Sequence, residues 1–345
     1  MTGGVPPGGA LIDVYDLLLF DLDGVVYVGE RAVPAAADVL TELHRRDAAI
    51  CYVTNNASRR AETVAALLGR LGVPADAREV LTSAQAAAEL MGVRLAVGAP
   101  VLTIGSEALA DEVRAVGLDV VSAAVDKPVA VVQGYGPEVG WRHLAEAALA
   151  VTAGAWWVAT NTDRTLPSPD GPLPGNGALV AAVSVATGKQ PDVVVGKPSP
   201  QLFEAAVRRY AARRPLVIGD RLDTDIEGAV RAGHDSVLVL TGVAHPADAW
   251  RAPQTCRPTY LADDLGDLLR EYPEVTVESG AARCREWTVA REGSAWSLAG
   301  HGTALDALRT LCAARWSTPE ATPDEVQARD AAAADAVREL ALARR

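Results

Sequence analysis

The chain has 345 residues, more than a single hydrophobic core serves, so at least two domains are expected. With 49% apolar and 22% charged residues it falls outside the disordered class, and a net charge of -12 opposes nucleic acid or an anionic membrane as a partner. Cys51, Cys256, Cys284 and Cys312 are too far apart in the chain to read as a zinc site or a disulfide framework, which fits a reducing cytoplasm.

Residues 1–10, rich in Gly and Pro, read as a flexible leader without the basic start of an export signal, and no apolar run reaches the length of a membrane span. Residues 17–20 then form a short apolar run of the kind a buried strand uses. Strand-like and helix-like runs alternate after it: 49–54 and 59–72, 193–195 and 200–213, 216–219 and 225–233, then 236–240. That alternation predicts an α/β fold, a Rossmann-like, doubly wound parallel sheet, over residues 11–83 and 193–272.

Far more residues separate Thr54 from Lys197 than one strand-helix-strand unit needs, so residues 84–192 read as an inserted α/β domain. Its apolar runs lie at 101–104, 130–132 and 156–159, and its helix-like runs at 107–116, 141–152 and 178–187. Gly134, Gly136 and Gly140 miss the spacing of a dinucleotide fingerprint and read as loop glycines. Residues 273–345 form a small hairpin-helix appendage of unassigned role: alternating segments 286–291 and 295–299 flank the turn Glu292-Gly293-Ser294, and a periodic helix covers 304–316. A last helix is expected from Thr322, with Pro323 at its first position, Glu325 closing a capping box, and Val326, Ala333, Val337 and Leu340 on one face. The appendage could belong to a truncated acyltransferase-like fold, but it lacks a Gly-rich loop for an acyl coenzyme, so binding, dimerisation or stabilisation is its expected role.

Four motifs carry chemistry, each after a strand. Asp21-Leu22-Asp23-Gly24 sets two carboxylates at i and i+2, an arrangement that needs a divalent cation, a shared proton, or both. Asp21 at the strand end suits a nucleophile that would form an aspartyl-phosphate, and Asp23 suits a general acid and base. Thr54-Asn55-Asn56 offers a hydroxyl, two amides and backbone N–H groups to phosphoryl oxygens, although the same residues cap helices. Gly196-Lys197-Pro198-Ser199 supplies a cation; Pro191 and Pro198 stand where a P-loop needs Gly and Ser or Thr, so that loop is rejected. Gly219-Asp220-Arg221-Leu222-Asp223-Thr224-Asp225 offers acids to a hard cation, Asp220 directly and Asp225 through water or as a helix cap.

These four motifs in this order resemble the haloacid dehalogenase superfamily, and the long insert resembles its class II capped branch, over roughly residues 11 to 270. That branch holds phosphatases acting on phosphoglycolate, glycerol 3-phosphate, p-nitrophenyl phosphate and nucleotides. The segments Ala159-Thr160-Asn161-Thr162-Asp163 and Pro174-Gly175-Asn176-Gly177-Ala178 look like its cap motifs. The resemblance implies Asp21 as nucleophile, Asp23 as acid and base, Thr54 and Lys197 as phosphate binders, and Mg2+ held by Asp21, the Asp23 carbonyl and Asp220. Asn161, Asp163 and Arg164 are the cap's candidate substrate contacts, against the alternative of an Asx turn before Pro167.

The expected activity is Mg2+-dependent hydrolysis of a small phosphate monoester, glycerol 3-phosphate or phosphoglycolate first and nucleotide or sugar phosphates second. The partner is then a small phosphorylated metabolite, and a homodimer is the assembly that paired caps in similar proteins imply. The rival readings are a phosphometabolite-binding regulatory protein and a phosphomutase, which free phosphate release separates.

Overall fold

The structure, a computed structural model, describes residues 9–166, 170–278, 280–318 and 324–342. Contacts partition the chain into two units, Met1–Ala49 with Arg213–Arg345, and Ile50–Ala212.

In the first unit the wholly buried strand Leu17–Phe20 pairs parallel with Pro215–Gly219, which pairs with Asp235–Val239, which pairs with Tyr260–Ala262. Near-continuous Leu and Val runs form these strands because both faces of a parallel sheet are covered. The register sets Phe20 beside Ile218, so Asp21 and Gly219-Asp220 emerge at the same carboxyl edge.

An antiparallel meander follows: Val275–Glu278, Ala281–Cys284, Trp287–Glu292 and Ala295–Ala299, with Val326–Ala328 added parallel to the last. The predicted hairpin is there, its turn using Gly293 at φ +60. The predicted helix from Thr322 is not: Thr322 and Pro323 lie outside the described residues, Val326 is in a strand, and the helix is Ala331–Glu339. Asp330 starts that helix by accepting from the Ala333 N–H at 2.7 Å.

The appendage shares one apolar core with the sheet that precedes it. Trp287, Trp296, Leu308 and Leu311 pack in the same cluster as Ile226, Leu238, Trp250 and Leu261. Trp250 and Trp296 meet edge to face at 6.1 Å. On the helix Ala304–Trp316, Arg309 donates to the Leu261 carbonyl at 2.7 and 3.2 Å, pairs with Asp306, and lies over the Tyr272 ring.

The second unit holds the parallel pair Ile50–Thr54 and Val80–Thr82 and a parallel five-stranded sheet. The order in that sheet is Val193–Val194, Trp156–Ala159, Ala130–Gln133, Pro100–Ile104, Asp119–Val121. Helices Trp141–Thr152 and Asn176–Thr187 cover it, with Val151, Val180 and Val183 against Leu102, Val131 and Trp157. Trp157 is core, whereas Trp156 is half-buried beneath the Arg94 guanidinium. The fold class is therefore the expected parallel-sheet α/β. No helix among the described residues is long and apolar enough to cross a membrane.

Candidate active site

In the first unit, the carboxylates of Asp21, Asp220 and Asp225 each offer an oxygen within 4.8 Å of the others. Asp21 follows the strand Leu17–Phe20 and anchors its N–H on the Ile218 carbonyl at 2.9 Å. Asp220 is fully buried at the end of Pro215–Gly219, where the Val243 N–H donates to its Oδ2 at 2.7 Å and the Ala244 N–H to its carbonyl at 3.0 Å.

Asp225 reaches the same place because the chain makes a π-helical turn over Leu222–Ile226, with the N–H groups of Asp225 and Ile226 both on the Arg221 carbonyl. Its Oδ2 accepts from the Arg221 N–H at 3.1 Å, and it is 1% exposed. Asp223, the third acid of the motif, turns outward to pair with Arg221, which it holds charged.

Glycines make the cluster sterically possible. A Cβ at Gly24 would lie 2.3 Å from Asp220 Oδ2, at Gly242 2.0 Å from the same atom, and at Gly219 2.2 Å from Asp225 Cβ. Gly24 also sits at φ +84, which side chains other than glycine rarely adopt, and its carbonyl accepts from Thr241 Oγ1 at 2.7 Å. The segment Thr241-Gly242-Val243 was not singled out in the sequence; its signal is the same as for the four motifs, a short polar loop after a buried strand.

Three like charges with two of them buried are unfavourable without a counter-charge. Three oxygens at this spacing suit one hard divalent cation that completes its shell with water and substrate oxygens. Asp225 thus stands with Asp21 and Asp220 geometrically. Asp23 is exposed and its carboxylate is outside the cluster, as suits a group that meets a leaving oxygen.

In the second unit, Thr54 ends the buried strand Ile50–Thr54, and its Oγ1 accepts from the Asn56 N–H at 3.1 Å. Asn56 Oδ1 accepts from the N–H groups of Ser58 and Arg59 and from Ser58 Oγ, so this side chain organises the turn before helix Ala61–Arg70. Lys197 is 4% exposed, and its main chain is bonded to Asn55 at 2.8 and 3.1 Å. Asn55 Nδ2 also reaches both carboxylate oxygens of Asp163 at 3.2 Å.

Asn161 is buried and donates to the Asn55 carbonyl at 2.7 Å while its Oδ1 accepts from the Asp163 N–H, which makes an Asx turn. Gly175 and Gly177 hold that loop by donating to the Arg164 and Asp163 carbonyls; a Cβ on either would lie within 2.3 Å of its main chain. The knot therefore gathers Thr54, Asn55, Asn56, Asn161, Asp163 and Lys197, whereas the Arg164 side chain is exposed.

Sequence-family profiles agree with this arrangement. A haloacid dehalogenase-like hydrolase profile matches residues 18–119, a HAD-hydrolase-like profile 194–268, and a GCN5-related N-acetyltransferase-like domain 284–342. The chain is 44% identical over 344 residues to a D-glycerol 3-phosphate phosphatase of Mycobacterium tuberculosis, covering 96% of this chain and 95% of the relative. It is 36% identical to an acid sugar phosphatase of Staphylococcus saprophyticus, over 74% of this chain and 98% of the relative. Among solved structures, the glycerol phosphate phosphatase of Mycobacterium tuberculosis in complex with magnesium superimposes with a TM-score of 0.87 at 43% identity, over 97% of this chain and 99% of that one.

Proposed function

Because the chain belongs to the haloacid dehalogenase-like hydrolases, we propose that it is a Mg2+-dependent phosphatase that hydrolyses a small phosphate monoester, with D-glycerol 3-phosphate the first candidate. The observation that carries this reading is the convergence of the Asp21, Asp220 and Asp225 carboxylates at the end of a buried parallel sheet. The nearly full-length likeness to a glycerol 3-phosphate phosphatase supports the substrate, and the acid sugar phosphatase keeps sugar phosphates as the alternative.

Asp21, Asp220 and Asp225, with the Asp23 carbonyl, would hold the Mg2+, which when bound neutralises phosphate charge and the acid cluster itself. An Asp21 carboxylate oxygen bonds to phosphorus as the ester oxygen leaves, and protonated Asp23 gives that oxygen its proton. Asp23, now a carboxylate, then takes a proton from a water whose oxygen attacks phosphorus; the Asp21 bond breaks and orthophosphate is released. Thr54 and Lys197 bind the phosphoryl oxygens, Lys197 as the compensating cation. Residues 84–192 are the proposed cap, with Asp163 and Arg164 toward the substrate's alcohol part.

The protein is proposed to act in the cytoplasm as a homodimer, with neither nucleic acid nor membrane as partner, in keeping with a net charge of -12. A panel of phosphate esters with Mg2+, read by orthophosphate release, tests the function. Turnover of glycerol 3-phosphate above phosphoglycolate, sugar phosphates and nucleotides is expected, with loss on chelation and recovery on adding Mg2+; tight ester binding without release would point to a regulatory protein.

Gly242→Ala should raise the Mg2+ concentration for half-maximal rate roughly tenfold while leaving the far-ultraviolet circular dichroism unchanged, because its methyl, 2.0 Å from Asp220 Oδ2, displaces that carboxylate. An unaltered Mg2+ requirement would remove Asp220 from the cation site.

A further inference from the structure

We infer that Asn55 is a positioning residue, not a phosphate ligand: its one amide fixes the Lys197 main chain and ties it to the Asp163 carboxylate. The inference rests on the proposed role of Lys197 as the phosphoryl-binding cation.

The bonds account for the whole side chain. Oδ1 accepts from the Lys197 N–H at 2.8 Å, and Nδ2 donates to the Lys197 carbonyl at 3.1 Å. Nδ2 also donates to both oxygens of Asp163 at 3.2 Å. An amide has two N–H groups, and these three acceptors take both, which leaves no donor for a phosphoryl oxygen. The orientation of the amide is fixed by its surroundings. Turned over, it would set Nδ2 against the Lys197 N–H and Oδ1 against a carbonyl and a carboxylate.

The neighbours are built around this contact. A Cβ at Gly196 would lie 2.6 Å from Asn55 Oδ1, so only glycine before Lys197 lets the clamp close. Asn55's own carbonyl accepts from Asn161 Nδ2 at 2.7 Å and Ser83 Oγ at 2.6 Å, which holds its backbone from two further elements. A lysine gripped at both main-chain polar groups starts its side chain from one fixed direction, the kind of preorganisation that a phosphate-binding cation uses. Through the shared amide, a ligand group drawn to Asp163 acts on the same anchor as Lys197. Asn55 therefore couples the segment proposed to sense the alcohol to the residue proposed to hold the phosphate.

The test is a double-mutant cycle of Asn55→Ala and Asp163→Ala on the full chain with Mg2+, reading kcat, KM and the inhibition constant of orthophosphate, with Lys197→Met alongside. Lys197→Met must abolish turnover; if it does not, the underlying role of Lys197 fails and not the coupling alone. With that role intact, Asn55→Ala should lower kcat/KM about 100-fold, Asp163→Ala about 10-fold, and the double variant clearly less than the product of the two, since the part of the Asp163 effect that passes through Asn55 is already lost. Losses that multiply to about 1000-fold, or an Asn55→Ala effect on the orthophosphate constant that is the same with or without Asp163, would make Asn55 an independent ligand and overturn the inference. Asn55→Asp asks the same question if Asn55→Ala melts early. It turns the donor end into a second carboxylate facing Asp163, so adding Asp163→Asn should recover at least tenfold of its lost kcat/KM. No recovery would equally count against the coupling.

Discussion

Asp21→Asn is expected to cut orthophosphate release from every ester by roughly 1000-fold or more, to the background of the assay. The amide fills the space of the carboxylate, but it cannot form the phosphorus-oxygen bond, so binding survives while covalent chemistry does not. The same change lowers the repulsion among Asp21, Asp220 and Asp225, two of which are buried. The metal-free variant should therefore melt no lower than the parent, and its gain on adding Mg2+ should shrink, because one of three ligand charges is gone. Loss of activity together with a lower metal-free melting temperature would mean damage to the fold. Retained activity would remove Asp21 as nucleophile, and the same assay on Asp23→Asn would then decide between the two acids.

Deleting residues 273–345 is expected to leave a chain that aggregates and has no cooperative melt, although every proposed catalytic residue remains. The reason is the shared core. Without the appendage, Trp250 and Leu261 lose Trp287, Trp296 and Leu308, and the Leu261 carbonyl loses both bonds from Arg309. Ile226 and Ala244, next to Asp225 of the acid cluster and to Val243, whose N–H donates to Asp220, belong to the same apolar group, so the damage reaches the cation site. A milder probe is Trp296→Ala. This side chain is fully buried, and its loss should cost about 3–5 kcal/mol and lower the melting temperature by roughly 10 °C. A truncated chain that melts cooperatively and turns over substrate at the parent rate would instead make the appendage an independent addition.

The parts of the site nearest to strand ends were the most legible in the sequence. Asp21 follows the buried run Leu17–Phe20 and Asp220 the buried run Pro215–Gly219, and a carboxylate at the end of such a run can be read without knowing the partner strand. Asp225 reaches the acid cluster through the π-helical turn and past the bare Gly219, neither of which local spacing shows. The hydrogen-bond partners of Asn55, Lys197 and Asp163, are 142 and 108 residues away, so local sequence does not show them. The hairpin through Gly293 was readable from alternation. Val275–Glu278 was not, being short and largely exposed. The stretch before Asp330 followed helical periodicity, yet pairing with Trp296 decided its conformation. Long-range pairing overrides local pattern in short segments.

The strand Leu17–Phe20 takes its partner Pro215–Gly219 from nearly two hundred residues downstream, after the whole of Ile50–Ala212. On the ribosome the amino-terminal segment must therefore wait, its Leu-rich edge unpaired, until most of the chain has been made. The cation pocket cannot form before Asp220 and Asp225 have been made, so a nascent chain cannot acquire its ion early.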